Sequence, residues 1–129
     1  MPPYFVENLD YFLKAVDRFQ SIEVIKELAT INAGGVVAYA AGFSEHDDIG
    51  KDLQKNLIKA KGDMALVGPN CYGMINYVDG LCLWPDEQGG KAVPEGAAII
   101  LQSGNIGVSL TMQQRGLPVA YLISVGNQA

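Results

Sequence analysis

The stretch SIEVIKELATINAGGVVAYA, residues 21–40, decides the fold. Ser21 can cap a helix in which Ile22, Ile25, Leu28 and Ala29 recur at spacings of three and four, the period of one buried helix face. Glu23 then falls in the first turn, where a negative charge suits the positive helix end. Gly34-Gly35 stops the helix, and Gly35-Val-Val-Ala-Tyr-Ala40 follows as a short apolar run of strand type. A helix, a glycine stop and a buried strand in so short a span form the repeat unit of a parallel sheet wrapped by helices.

The rhythm extends both ways. Tyr11–Val16 is short and apolar and is expected to be a strand. A helix is expected from about Asp48 to Ala60, with Ile49, Leu53 and Leu57 on its inner face. Asp47, Lys51, Lys55 and Lys59 recur every four residues on another face. Charge at that spacing marks a solvated surface better than a phosphate-binding stripe. Met64–Val67 is a third strand, closed by Gly68-Pro69. From Ile75 to Glu95 the rhythm fails, because Gly80, Pro85, Gly89-Gly90 and Pro94 punctuate every run. It then resumes with a strand at Ala97–Leu101, a helix at Ser103–Arg115 with Ile106 and Leu110 inward, and a strand at Val119–Ile123. The expected class is α/β with a parallel sheet, divided into residues 1–76, a linker at 77–96, and a second unit at 97–129 that stops short of a complete domain.

Composition narrows the function. The 129 residues are 49% hydrophobic and 18% charged, a mix that builds a core and argues against disorder. A net charge of −5 without basic runs argues against nucleic acid and anionic membranes as partners. No apolar run nears the roughly 18 residues of a membrane span, and MPPYFVENLD has no secretory pattern. Cys71 and Cys82 are too few for a disulfide scaffold and lack zinc-site spacing, so a reduced cytoplasmic setting without a metal is expected. His46 is the sole histidine. It sits in an acidic helix start and makes a poor base for Cys71, which is expected to line a pocket instead. Cys82, in the apolar run Leu81–Trp84, is expected to be a core residue.

Three glycine-containing loops leave the carboxyl ends of expected strands: Ala40-Ala-Gly42, Gly68-Pro-Asn-Cys-Tyr-Gly73 and Gln102-Ser-Gly-Asn105. Open α/β sheets bind ligands at those ends. The third loop also opens a helix, whose free amides favour a phosphate or carboxylate. A plainer account makes Ser103 an N-cap and the glycines turn formers. No Walker loop and no G-x-G-x-x-G occurs.

Gly68-Pro-Asn-Cys-Tyr-Gly73, Ile100-Leu-Gln-Ser-Gly-Asn105 and Ser124-Val-Gly-Asn127, in this order and spacing, resemble the NDP-forming acyl-CoA synthetases, similar to the alpha subunit of succinyl-CoA synthetase. The resemblance runs from about Tyr11 to Ala129. It implies the later part of a Rossmann-like CoA-binding domain followed by the start of a flavodoxin-like ligase domain. It also implies a reaction that couples acyl-CoA cleavage to nucleotide phosphorylation through a phosphohistidine. Tyr39, Ala40, Ala41 and Gly42 would contact CoA, Asn70 would shape the neighbouring loop, and Cys71 would lie near the CoA thiol. Ser103, Gly104 and Asn105 would support the phosphohistidine loop. Some members carry Thr-Glu where this chain has Ala40-Ala41. ATP or ADP and magnesium would belong to an ATP-grasp part outside this chain, and the phosphorylated histidine would lie beyond residue 129, leaving this piece inactive alone. The same module could instead serve a protein lysine acetyltransferase as a regulatory part, or act as a non-catalytic CoA binder.

The resemblance also implies a strand order in which two absent strands separate Tyr11–Val16 from Gly35–Ala40. The Val36–Tyr39 edge would then be open, and a homo-oligomer that covers it is expected; the alternatives are a monomer in which Tyr11–Val16 shifts inward to pair with that edge, or an N-terminal segment without order.

Overall fold

The structure is a computed structural model, and it describes residues 11–14, 17–113 and 116–127. β1 (Tyr11–Lys14), α1 (Arg18–Thr30), β2 (Gly35–Ala38), α2 (Asp48–Lys61) and β3 (Ala65–Val67) alternate, and the strands form one parallel sheet in the order β1-β2-β3. Ala15 and Val16 lie outside the described residues. The α/β class is as expected, but the strand order is not. β1 pairs directly with β2, Tyr11 opposite Gly35 and Lys14 opposite Ala38. β3 occupies the other side of β2. The backbone of β2 therefore has partners on both sides, and the expected open edge at Val36–Tyr39 is closed within the chain. That removes the premise on which an oligomer was expected.

α1 begins earlier than Ser21. Asp17 is its N-cap, and its carboxylate accepts the amides of Phe19 at 2.8 Å and Gln20 at 3.1 Å. A carboxylate there satisfies free amides and meets the helix dipole, which a serine hydroxyl does less well. Ser21 is instead buried inside the helix, and its hydroxyl donates to the Asp17 carbonyl at 2.7 Å. Glu23 accordingly lies beyond the first turn. α1 and α2 pack together over the sheet, and Ile25, Leu28, Val36, Ala38, Phe43, Leu57 and Met64 form the first core. Ile49, expected to face inward, is 61% exposed. Gly50 takes the inner place, because a Cβ there would stand 2.0 Å from the Phe43 carbonyl oxygen. Only a residue without a side chain allows that approach.

The expected linker is a correction. β4 (Gly73–Asn76) and β5 (Leu81–Leu83) form an antiparallel hairpin, and they join β6 (Ala97–Leu101) and β7 (Val119–Ser124) in a sheet ordered β5-β4-β7-β6. β4 runs antiparallel to β7, and β6 runs parallel to β7 through α3 (Gly104–Thr111). The hairpin turn is built by Asn76, whose side-chain oxygen accepts the amides of Val78 and Asp79, both at 3.0 Å. Punctuating residues give this segment the look of a linker, although its strands are merely short and β4 finds its second partner, β7, far along the chain. Ile75, Tyr77, Trp84 and Leu122 make the second core. Ile106 is 57% exposed, while Gly107 turns inward against the Trp84 ring. The expected helix end at Arg115 lies outside the described residues. Among the described residues, no helix is long and apolar enough to cross a membrane.

Candidate functional site

The carboxyl ends of β2, β3, β6 and β7 come together, and hydrogen bonds fix their loops to one another. After β2 the chain runs through Tyr39, Ala40, Ala41 and Gly42. The Ala40 carbonyl accepts the Asn70 amide at 2.9 Å, which ties this loop to the one that follows β3. Asn70 has φ +55, a left-handed conformation that asparagine tolerates better than most residues. The Pro69 carbonyl in turn accepts the Asn127 amide at 2.9 Å. Gly126 nests against this loop so closely that a Cβ would stand 2.2 Å from the Pro69 oxygen. The end of β7 holds the end of β6, where Val125 donates to the Leu101 carbonyl at 3.0 Å, and it holds the loop after β3, where the buried Ser124 hydroxyl accepts the Tyr72 amide at 3.1 Å. The loops after β2 and β3 and the end of β7 are thus tied together, and the segment after β6 meets them where Gly104 lies against Tyr72.

The side chains differ from expectation in detail. Cys71 is buried, and its thiol lies 3.4 Å from each of the Ala38 and Val67 carbonyl oxygens. Burial pushes this thiol from 9.0 up to about 11, so near neutrality it is a protonated packing group and a poor nucleophile. Cys82 is half-buried, with its thiol raised by burial as well. The Tyr39 hydroxyl is buried without a hydrogen-bond partner among the described residues. Burial, and after it the proximity of Cys71, Cys82, Tyr72 and Asp86, raises its ionisation well above that of an ordinary tyrosine. Ser103 occupies the N-cap position of α3 but makes no side-chain capping bond. Gly104 lies against the Tyr72 ring, where a Cβ would come within 2.4 Å of a ring carbon. Asn105 follows it on an exposed turn of the helix. Tyr72 in turn donates its hydroxyl to Asp86 and stacks edge-on against Trp84 at 4.9 Å between centroids. His46 is exposed, 3.7 Å from Asp47.

Three residues of the site, Arg18, Glu45 and Gln54, were not singled out by the sequence. Arg18, at the first turn of α1, donates to the Gly42 carbonyl at 2.7 Å and lies 3.7 Å from Asp47. Glu45 accepts the Gly42 amide at 2.5 Å, so the two peptide groups of Gly42 are held from opposite sides. The Asn127 side chain donates to Glu45 and, at 3.3 Å, to Gln54 of α2. Its oxygen lies 3.5 Å from the Asn70 amide nitrogen. Burial pushes the Glu45 carboxyl upward, but the bonds from Asn127 and Gly42 outweigh it and hold the group below the usual carboxylate value. The only available signal was the single acidic residue Glu45 three positions beyond Gly42, a pattern common on any surface.

No protein-family model matches the chain. A trans-feruloyl-CoA synthase from an unknown prokaryotic organism is 36% identical over 95% of this chain and 18% of its own length. An ADP-forming 4-hydroxybutyrate–CoA ligase from Nitrosopumilus maritimus is 30% identical over 82% of the chain and 16% of its own. An ADP-forming acetate–CoA ligase from Archaeoglobus fulgidus is 28% identical over 95% of the chain and 18% of its own. Among solved structures, a Pyrococcus horikoshii protein superimposes with a TM-score of 0.80 at 27% identity, over 95% of this chain and 28% of that one. The dinucleotide-forming acetyl-coenzyme A synthetase of Candidatus Korarchaeum cryptofilum shares the fold, with a TM-score of 0.76 at 23% identity over 97% of this chain and 28% of that one. The chain therefore spans less than one-fifth of the curated relatives named here, and by sequence and fold it belongs with the ADP-forming acyl-CoA synthetases.

Proposed function

We propose that this chain supplies the CoA-facing loops of an ADP-forming acyl-CoA synthetase acting in the cytoplasm. The whole enzyme would interconvert acyl-CoA, ADP and phosphate with carboxylate, CoA and ATP through a phosphohistidine. The observation that carries the reading is the convergence of the Tyr39–Gly42, Asn70–Cys71 and Ser103–Asn105 segments at the carboxyl ends of the strands, beside a helix terminus whose Ser103 hydroxyl makes no capping bond. Such a place suits the phosphate groups of CoA, because free helix amides and glycine backbone approach an anion closely. Since the Tyr39 hydroxyl is buried, a ligand would meet this loop through its backbone. Cys71 would contribute shape near the thiol end and no nucleophile. The nucleotide, its magnesium and the phosphorylated histidine belong, in this reading, to the rest of the enzyme. In this reading the first sheet belongs to the CoA-binding domain, and the second sheet, which takes in β4 and β5, opens the next.

Loop amides and one helix terminus make only part of a CoA site, and each charge-assisted hydrogen bond is worth about 1.5–3 kcal/mol. A dissociation constant in the millimolar range, about −4 kcal/mol, is expected of the chain alone. Titrating the nitrogen-15-labelled chain with CoA tests this. Shifts confined to the amides of Tyr39–Gly42, Asn70–Cys71 and Ser103–Asn105 support the reading. Their absence at millimolar CoA, or shifts centred elsewhere, would overturn it. With CoA, acetate and ATP the chain alone is expected to release no ADP above a buffer control.

A further inference from the structure

We infer that Asn127 is a positioning residue that sets the conformation of the Gly42 peptide through Glu45, so that the loops after β2, β3 and β7 take up one shared arrangement. The inference rests on the proposed CoA site for its functional consequence and on geometry for the rest. Asn127 is the meeting point of three elements. Its backbone amide holds Pro69, its side-chain oxygen faces Asn70, and its side-chain amide donates to Glu45 and to Gln54 of α2. Glu45 uses one carboxylate oxygen for Asn127 and the other for the Gly42 amide. Arg18 closes the opposite side of Gly42 through its carbonyl. Gly42 has φ +93, a conformation only glycine adopts readily, so its peptide has wide freedom unless both sides are held. The Asn127–Glu45 bond spans 82 residues of sequence and crosses from one sheet to the other. It thereby transmits the placement of the β7 end to the loop proposed to meet CoA.

The polarity of this bond allows a sharp test. Asn127→Asp places a carboxylate against Glu45, and Glu45→Gln removes the charge that attracts the Asn127 amide. In the double variant, the side-chain amide introduced at position 45 can donate through its nitrogen to the carboxylate introduced at position 127, while its oxygen still accepts from Gly42. Hydrogen exchange of the Gly42 amide is measured first, without ligand. Each single variant is expected to speed it about tenfold, as loss of a hydrogen bond to a charged group implies, and the double variant is expected to restore it. CoA titration follows, with the same order expected: weaker binding in each single variant and recovery in the double. Exchange at Gly42 unchanged in Asn127→Asp, or no recovery in the double variant while thermal stability does recover, would overturn the inference. If wild-type chain shows no CoA binding while the exchange pattern holds, the proposed function fails and the positioning role stands.

Discussion

Asn127 donates its backbone amide to the carbonyl of Pro69 at 2.9 Å, and this bond fastens the end of β7, in the second sheet, to the loop that closes β3, in the first. Gly126, one residue earlier, is what lets the two segments approach.

Gly126→Ala is therefore expected to destabilise the chain. Gly126 has φ +57, and a Cβ there would stand 2.2 Å from the Pro69 oxygen and 2.4 Å from the Asn70 oxygen. Backbone strain and overpacking together should cost about 2 kcal/mol or more, measured by chemical denaturation. Wild-type stability in this variant would show that the two loops separate freely.

Ser124→Ala should also destabilise, by about 1–3 kcal/mol. The Ser124 hydroxyl, fully buried, accepts the Tyr72 amide at 3.1 Å, and its loss strands that amide. A change below a few tenths of a kcal/mol would mean that Tyr72 finds another acceptor.

Tyr39→Phe should act in the opposite direction. The hydroxyl is buried with no partner among the described residues, so removing it relieves a desolvation cost while the ring continues to fill its place. A gain of up to about 1 kcal/mol is expected in thermal or denaturant unfolding. A clear loss of stability would reveal a hydrogen bond to this oxygen.

Cys71 gives a pH signature. An unfolded thiol ionises near 9.0, whereas the buried Cys71 thiol holds its proton to about 11. A group raised in the folded state contributes stability that is complete below the unfolded value and is lost as pH rises through the folded one. Wild-type stability should thus decline between pH 9.0 and 11, and Cys71→Ala should decline less across the same window. In a Cys82→Ala background, iodoacetamide should label native Cys71 about a hundredfold more slowly than the urea-unfolded chain, following the thiolate fraction. Equal rates would show that the thiol is open to solvent.

The sequence by itself determined the class of fold and the segments that form its loops. Helix and strand periods are local, and the glycines and prolines that end each element act within a few residues, so Gly35–Ala38 and Ala97–Leu101 were legible as strands. The loops around Asn70 and Ser103 were legible as glycine-containing strand ends, and the motif ending at Asn127 through its resemblance to a known family. Tertiary structure alone decided which strands pair. β1 lies beside β2 because the backbone of β2 needs partners on both sides, and no local pattern records which strand supplies them. It also decided that Leu81–Leu83 is a strand, since three half-buried residues carry too little pattern to announce one without β4. Helix faces shifted by a residue where glycine could come close. Gly50 and Gly107 turn inward and leave Ile49 and Ile106 outside, because close contact with the Phe43 carbonyl and the Trp84 ring leaves no room for a Cβ. The clamp of Arg18 and Glu45 on Gly42, with Asn127 behind it, was hidden for a related reason. Its members come from distant parts of the chain, and a polar surface residue becomes part of a site only when folding sets a partner within hydrogen-bonding distance.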